Sequence, residues 1–200
     1  MEKRKEGNTM KYKKWIIIGV IALIIIFIVS ALIGTYNSMV AKKGEVDESF
    51  SNIQTQLQRR ADLIPNFVNT VKGAADFEKT TYTDVTKARS AVSSATNASE
   101  LSTASDELNK AISVWVNAVK EAYPQLTATQ NFTALQDELS GTENRIAVSR
   151  QDYNKVAKEY NVQIAQFPTN IFAGMFGFSQ VSYFEADASA QSAPQVDFGS

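Results

Sequence analysis

The amino-acid sequence predicts an all-α protein in which an N-terminal transmembrane helix is followed by an up-and-down (antiparallel) four-helix bundle. Three observations support this fold class. An uncharged apolar stretch near the N-terminus is long enough to cross a bilayer. Beyond it, apolar residues recur at steps of three and four, the period of an amphipathic helix. No segment alternates apolar and polar residues for long enough to compete as a β-strand.

The predicted anchor centres on residues 15–33, which carry no charge. At a rise of about 1.5 Å per residue, this stretch spans about 30 Å, the thickness of a bilayer hydrocarbon core. Trp15 and Tyr36 bracket it at the depth where amphipathic rings are favoured. A cleaved signal peptide is the alternative, but its apolar region is usually only about 7–15 residues long, and no small-x-small cleavage pattern follows here. We therefore assign residues 15–35 to a transmembrane helix.

The charges around the anchor predict its orientation. Six Lys and Arg residues precede the span, whereas only Lys42 and Lys43 lie in the fifteen residues after it. The positive-inside tendency makes residues 1–14 a basic cytoplasmic tail and places the bundle outside the cytoplasm, in the envelope of a single-pass cell-membrane protein. The remainder of the chain is net acidic, which disfavours nucleic acid as a partner.

The chain contains no histidine and no cysteine. It therefore lacks the commonest general base, the commonest metal ligand and any thiolate nucleophile. A di-metal site in a bundle core needs Glu-x-x-His pairs, and no glycine-rich phosphate loop or Ser-His-Asp set is available. We expect no catalytic residues, no metal and no cofactor.

The bundle is predicted to occupy residues 36–167. Its first helix carries an apolar stripe that begins at Met39 and ends at Leu57, and the anchor can run straight into it. Pro65 removes a backbone donor, so we expect a kink or restart near residues 62–64 and a second helix that begins at Phe67 and continues past Val71 and Phe77.

Residues 93–99 are small and polar and predict a loop, after which Ser99 is a suitable N-cap for the third helix. Pro124 is expected to end that helix. The fourth helix has the clearest pattern, with steps of three and four from Phe132 to Phe167 that also place Thr142, Ser149 and Gln163 on the seam. Partner helices should therefore offer hydrogen bonds or small side chains at those positions.

Several motifs, in order, resemble the LemA family of bacterial membrane proteins. They are RRADLIPNFVNTVKG from Arg59, LSGTENRIAVSRQDYNKVAKEYN from Leu139, FPTNIFAGMFGF from Phe167, and a terminal PQVDF. The resemblance implies a single anchor followed by an extracytoplasmic helical bundle, and it implies no known catalysis.

Charged residues cluster in two of these motifs. In heptad terms, those of the fourth helix fall at e and g positions, which flank a packed seam. Arg59 and Arg60 on another helix are placed to meet Glu143 or Asp152. A buried charged site for a ligand is one interpretation, and an interhelix ion-pair network that fixes helix register is the one we favour. The candidates are Arg59, Arg60, Asp62, Glu143, Arg145, Arg150 and Asp152.

Tyr153 and Tyr160 lie on the seam of the fourth helix and are expected in the core. Their hydroxyl groups then need hydrogen-bond partners, for which the polar seam positions are candidates.

Residues 168–185 form an apolar segment, and residues 186–200 are small, polar and expected to be mobile. The apolar segment can be buried against its own bundle, against a partner, or in the lipid interface. The absence of basic residues after Phe167 makes lipid the least favoured, and packing on the bundle the most favoured. The candidate interaction surface is Ile171, Phe172, Met175, Phe176 and Phe178.

Three classes of function follow in order of preference. A membrane-anchored interaction or scaffold protein, which binds a protein partner or itself, needs no reactive residue. An envelope sensor or transducer would need a membrane partner, because about fourteen cytoplasmic residues are too few to signal alone. An enzyme is the least favoured class.

Overall fold

The computed structural model describes residues 3–70 and 79–185, with side chains for residues 13–68 and 83–185. The described chain is all-α and contains no strand, which confirms the predicted fold class. The helices are α1 (Lys3–Thr70), α2 (Lys79–Ser94), α3 (Ala98–Ala122), α4 (Pro124–Thr127), α5 (Gln130–Ala165) and α6 (Thr169–Phe176).

The anchor and the first bundle helix are one element. α1 has 68 residues and is therefore about 100 Å long. Within the part of the chain that the structure describes, it is the one helix long and apolar enough to cross a membrane, and none of that apolar window is buried inside the protein. Its side chains from Trp15 to Val29 are largely exposed. Exposed isoleucine, leucine and phenylalanine over this length fit a single-pass membrane anchor.

Of the kink or restart expected near residues 62–64, the restart is wrong, because α1 passes through Pro65 and ends at Thr70. Phe67 and Val68 consequently belong to α1, whereas Val71 and Phe77 lie outside the described residues. The side chains on either side of the proline hold the helix in place: Ile64 is fully buried and Phe67 nearly so. Packing of an apolar face supplies most helical stability in proteins, and here it outweighs one lost backbone hydrogen bond.

α1 packs against α2, α3 and α5, so it is the central helix of the four long ones. α5 runs antiparallel to it. Near the start of α5, the Phe132 ring lies 5.7 Å from the Phe67 ring near the end of α1. Near the end of α5, the Gln163 amide donates a 2.7 Å hydrogen bond to the Ser38 hydroxyl, as expected for a polar seam position.

α2 and α3 cover only the half of α1 that is remote from the anchor. Arg89 of α2 pairs with Asp62 of α1 at 3.1 Å, and Gln54 donates to the Ala95 carbonyl just after α2 ends. The α2–α3 turn therefore lies at the level of residue 54. α3 then runs away from the membrane until its Trp115 ring contacts Phe67. We call the part of the bundle at the level of α1 residues 54–70 the distal half, and the part at the level of α1 residues 36–53 the proximal half.

The predicted cap of α3 is displaced by two residues. The N-cap is Asn97, whose side chain accepts from the Glu100 amide, and Ser99 lies inside the helix. The Glu100 carboxylate in turn accepts from the amide and hydroxyl of Thr96, which lowers the pKa of Glu100. This reciprocal capping makes Asn97 better than Ser99, because two amides at the helix start are satisfied. The loop is correspondingly shorter than residues 93–99.

The apolar seam of α5 follows the predicted register in its first half and drifts in its second. The buried residues are Phe132, Leu135, Leu139, Thr142, Ile146, Tyr153, Ala157, Tyr160, Asn161 and Ile164. Val156 and Gln163 are only half-buried, and Phe167 is exposed because α5 ends at Ala165. A straight helix has 3.6 residues per turn, so an apolar stripe that repeats every seven residues drifts around the helix by about 20° per heptad. The buried face therefore moves by one residue toward the C-terminus in the second half of α5. The polar Thr142 is satisfied within α5, where it donates to the Leu139 carbonyl.

Candidate functional site: the strapped proximal half

The predicted charge cluster contains one ion pair in which the guanidinium is buried and the carboxylate is half exposed. Arg60 of α1 is 9% exposed, and its Nη1 lies 2.6 Å from Glu143 Oε2 of α5. The same nitrogen donates to the Leu139 carbonyl at 2.8 Å. Burial lowers the pKa of Arg60, and the Glu143 charge partly offsets this effect. The pair joins α1 to α5 in the distal half.

The other charged candidates are dispersed. Arg145 pairs with Glu138 on its own helix at 3.2 Å. Arg150 lies over the ring of Phe184, 5.4 Å from its centre. Arg59 and Asp152 are exposed and form no ion pair with any residue whose side chain the structure describes. The structure thus brings Arg60 and Glu143 together and does not collect the seven candidates into one site.

In the proximal half, residues 178–184 form an extended segment that lies along α5. Sequence analysis favoured packing of residues 168–185 on the bundle, but it did not predict this extended form. We call this segment the strap. Asn161 holds its middle through two hydrogen bonds, one donated to the Val181 carbonyl and one accepted from the Val181 amide, each 2.9 Å. Asn154 holds its end in the same way, through the carbonyl and amide of Phe184. Each carboxamide thus bonds to both the N–H and the C=O of one strap residue, as a neighbouring strand would in a β-sheet.

Two tyrosines reinforce these asparagine clamps. Tyr160 donates its hydroxyl hydrogen to the Ser179 carbonyl, and Tyr153 donates to the Ser182 carbonyl, both at 3.0 Å. The partners of these hydroxyls are therefore strap carbonyls rather than polar seam positions. Burial, followed by the negative charge of Asp47, raises the pKa of both phenols. Both rings are buried, as expected.

The spacing of the clamps has a geometric cause. The Tyr-Asn pair occurs at residues 153–154 and again at 160–161, seven residues later, which is about 10.5 Å along a helix. The bound strap residues repeat at three, from Ser179 to Ser182 and from Val181 to Phe184, which is about 10 Å of extended chain. One heptad of helix therefore matches three residues of strap. The repeated Tyr-Asn pair was the sequence signal for this arrangement.

The strap completes the core where α2 and α3 do not reach. Its Phe184 is buried and meets the Tyr153 ring edge-on at 5.1 Å, and Val181 packs on the same core. On the α1 side, Met39 and Val46 are buried although no helix of the α2–α3 hairpin extends to their level. The strap therefore covers the core of the proximal half together with α1 and α5.

The apolar segment before the strap divides into covered and exposed side chains. Phe172, Ala173 and Phe178 pack on the core. Four large apolar residues remain exposed, and we call them the apolar patch: Phe167 (81%), Ile171 (52%), Met175 (73%) and Phe176 (53%). Gly177 ends α6 at a φ of +77°, a conformation that favours glycine and that turns the chain into the strap. The predicted mobile tail, residues 186–200, lies outside the described residues.

The chemistry of the site is that of backbone recognition and packing. Amides and phenols bind the strap, and guanidinium–carboxylate pairs join α1 to α5 and to α2. Among residues 13–68 and 83–185, whose side chains the structure describes, no three carboxylates lie close enough together to form a candidate metal site.

The fold and site define a class of protein: a helical bundle carried on the same helix that provides a single-pass membrane anchor. The model of the LemA family matches residues 49–198, which is most of the chain. The chain therefore belongs to the LemA family, and the resemblance carried by its motifs is confirmed.

The individual relatives share 22% to 27% sequence identity with this chain. Magnetosome protein MamQ 1 of Paramagnetospirillum magneticum is 24% identical over 188 residues, which cover 82% of this chain and 69% of the relative. Protein LemA of Metamycoplasma hominis is 27% identical over 158 residues, covering 77% of this chain and 70% of the relative. Magnetosome protein MamQ of Magnetospirillum gryphiswaldense is 22% identical over 194 residues, covering 84% and 71%. None of these names denotes an enzymatic activity.

Proposed function

We propose that this protein is a scaffold of the bacterial envelope, which holds a rigid helical bundle at the membrane surface as a binding platform for a protein partner or for itself. The observation that carries the proposal is the unbroken course of α1. The same helix forms the anchor and, from Met39 to Phe67, contributes buried side chains to the core. A bundle mounted in this way is presented at a fixed height and rotation, as a docking platform requires.

The charged candidates fit this role as structural residues. The Arg60–Glu143 pair fixes the register of α1 against α5, and the partly exposed Asp62–Arg89 pair joins α1 to α2. Arg145 pairs within α5. Buried ion pairs often contribute little net stability and instead specify which surfaces meet. We therefore assign the pair to register, and not to a ligand site.

Topology follows from the proposal and from the basic N-terminus. Residues 1–14 lie in the cytoplasm, residues 15–35 cross the membrane, and the bundle of residues 36–167 lies outside with residues 168–185 folded back on it. A reporter that is active only outside the cytoplasm should be active when it is fused after Ser200. Replacement of the basic residues before Trp15 by glutamine should reduce that activity. Protection of the bundle from protease added to intact protoplasts would contradict this orientation.

Transduction is the second candidate, and the same unbroken helix favours it. A rearrangement of the bundle would rotate or shift α1 as a unit and so reach the cytoplasmic face. In this candidate function, a membrane partner receives the signal. Relatives named as magnetosome proteins do not distinguish the two candidates.

A flexible insertion separates scaffold from transducer. A glycine-serine segment placed between Asn37 and Ser38 breaks the helix after the span and before Met39, the first buried residue that α1 contributes to the core. Photocrosslinkers at the exposed bundle residues Val114 and Val148 then report partner contacts in intact membranes, with Asn144 as the polar control. For a scaffold, the same adducts should form with and without the insertion. Adducts that need the unbroken helix would favour the transducer, and no face-specific adduct from either protein would refute both.

A further inference from the structure

We propose that α6 is a second membrane-contacting element, whose apolar patch inserts into the lipid interface on the side of the membrane that holds the bundle. The inference concerns how the bundle is seated on the bilayer. It holds whether the protein acts as a scaffold or as a transducer. It also differs from burial against the bundle, the outcome favoured by the sequence.

The position of α6 beside the end of the anchor is the first argument. The Phe176 ring meets the Tyr36 ring at 5.1 Å, and Phe178 meets the same ring at 5.8 Å. Phe176 also lines a groove with Leu32 and Ile33, the last side chains of the apolar stretch. α6 is therefore fixed at the point where α1 leaves the membrane.

Depth follows from helix geometry. Tyr36 lies three residues beyond Ile33, which is about 4.5 Å along α1. The hydrocarbon core is about 30 Å thick and the whole bilayer about 40–45 Å, so each interfacial layer is several ångströms deep. Phe176, in contact with Tyr36, lies within that layer. Its exposed neighbours on α6 then face lipid headgroups and upper acyl chains.

Continuity of the apolar surface is the second argument. The exposed side chains of the anchor end at Ile33 and Tyr36, and the apolar patch begins at Phe176 in contact with them. Ile171 and Met175 are one helical turn apart and share a face, while Ala173 is buried against the bundle. α6 is thus amphipathic, with one face toward protein and one toward the membrane surface.

The lack of basic residues does not oppose this placement. Basic residues strengthen binding of a free helix by attracting it to anionic lipid. α6 is tethered to a transmembrane helix, so it is held at the interface without any electrostatic attraction, as for other linked binding elements. Apolar burial is sufficient, and a bilayer of zwitterionic lipid should accept the patch. A soluble partner would have to displace lipid from a surface that already lies at headgroup depth.

The cysteine-free chain allows a direct test in the full-length protein. Met175→Cys and, separately, Ile171→Cys are labelled with an environment-sensitive fluorophore and reconstituted at one copy per phosphatidylcholine nanodisc. Asn144→Cys is the matched control, because it is exposed and lies near the level of the Arg60–Glu143 pair, about 40 Å above Ile33 by helix rise. Single-copy discs exclude a second chain from the result.

The expected result is a blue-shifted emission from both α6 labels, strong quenching by nitroxide-labelled lipid, and loss of quenching by aqueous iodide. The Asn144 label should show the opposite behaviour. Labels on α6 that are as accessible to iodide as the control would overturn the inference. Emission that is blue-shifted but insensitive to nitroxide lipid would also overturn it, since the patch would then be covered by the protein's own chain.

Discussion

Replacement of Asn161 by aspartate tests the clamp that holds the strap. The variant has the same shape but lacks the hydrogen that Nδ2 donates to the Val181 carbonyl at 2.9 Å. The other carboxylate oxygen still accepts from the Val181 amide. At neutral pH, a carboxylate oxygen would therefore face a carbonyl oxygen at a site that is 7% exposed.

The magnitude follows from the lost bond. A buried acceptor that loses its partner costs roughly 1–3 kcal/mol, and each 1.4 kcal/mol changes an equilibrium about tenfold. Opening of the strap should therefore become roughly 5- to 150-fold more favourable. Hydrogen–deuterium exchange of full-length protein in nanodiscs, followed by mass spectrometry of the peptide that contains Val181 and Phe184, measures this opening directly.

Acidification provides the second readout. Burial and the facing carbonyl should raise the pKa of the introduced carboxyl above its unfolded value. The folded state then binds more protons than the unfolded state, so the loss is full at neutral pH and is relieved as pH falls through the raised pKa. Asn144→Asp adds the same charge at an exposed position of the same helix and should leave strap exchange unchanged. Wild-type protection in Asn161→Asp at neutral pH, or a loss that does not recover in acid after correction for intrinsic exchange, would refute the clamp.

Three further predictions concern the distal half and the α3 cap. Ile146→Ala should destabilise the full-length protein in detergent by about 2–5 kcal/mol, because it leaves a cavity in the seam, whereas Asn144→Ala should change stability by no more than about 0.5 kcal/mol in chemical denaturation. Glu143→Gln should lower the free energy of unfolding by about 1–2 kcal/mol in the same assay, because the buried Arg60 loses its counter-charge. The loss should stay below the roughly 3–5 kcal/mol found when a fully buried pair is broken, because Glu143 is half exposed. Glu100→Gln should be less stable than the wild-type protein at neutral pH and equally stable in acid. The pKa of Glu100 is lowered in the folded state, so its carboxylate stabilises the protein fully above the ordinary pKa of 4.5, and this stabilisation disappears as pH falls through the lowered pKa.

Controls define what would contradict these three predictions. Equal effects of Ile146→Ala and Asn144→Ala would show that the α5 register is wrong. Arg145→Gln breaks a pair whose two side chains are both exposed, so it should leave the stability almost unchanged. A loss of stability as large as that of Glu143→Gln would show that burial of Arg60 does not make its pair more important than a surface pair. A deficit of Glu100→Gln that stays constant with pH would mean that the carboxylate does not stabilise the helix start.

The helical content and its apolar faces are determined locally and could be predicted. The steps of three and four that mark Leu101, Leu108 and Trp115 on α3 also mark them as buried, because amphipathic periodicity follows from helix geometry alone. Two helix boundaries were predicted wrongly, for different reasons. Packing of Ile64 and Phe67 against other helices carries α1 through Pro65, which is a tertiary effect. Asn97 replaces Ser99 as the cap of α3 through local hydrogen bonds in which Glu100 takes part, a pattern that the sequence already contained.

The sequence by itself determined that this protein has an N-terminal stretch able to anchor it in a membrane and a helical body, since both follow from the free energy of placing apolar side chains in lipid or in a core. Which side chains would meet across the bundle depended on contacts between distant segments. The strap illustrates this: Asn161 and Val181 are twenty residues apart, and their bonds exist because α2 and α3 leave the proximal half open. The exposure of Phe176 beside Tyr36 has the same origin, for only the antiparallel return of α5 brings the C-terminal segment to the foot of α1.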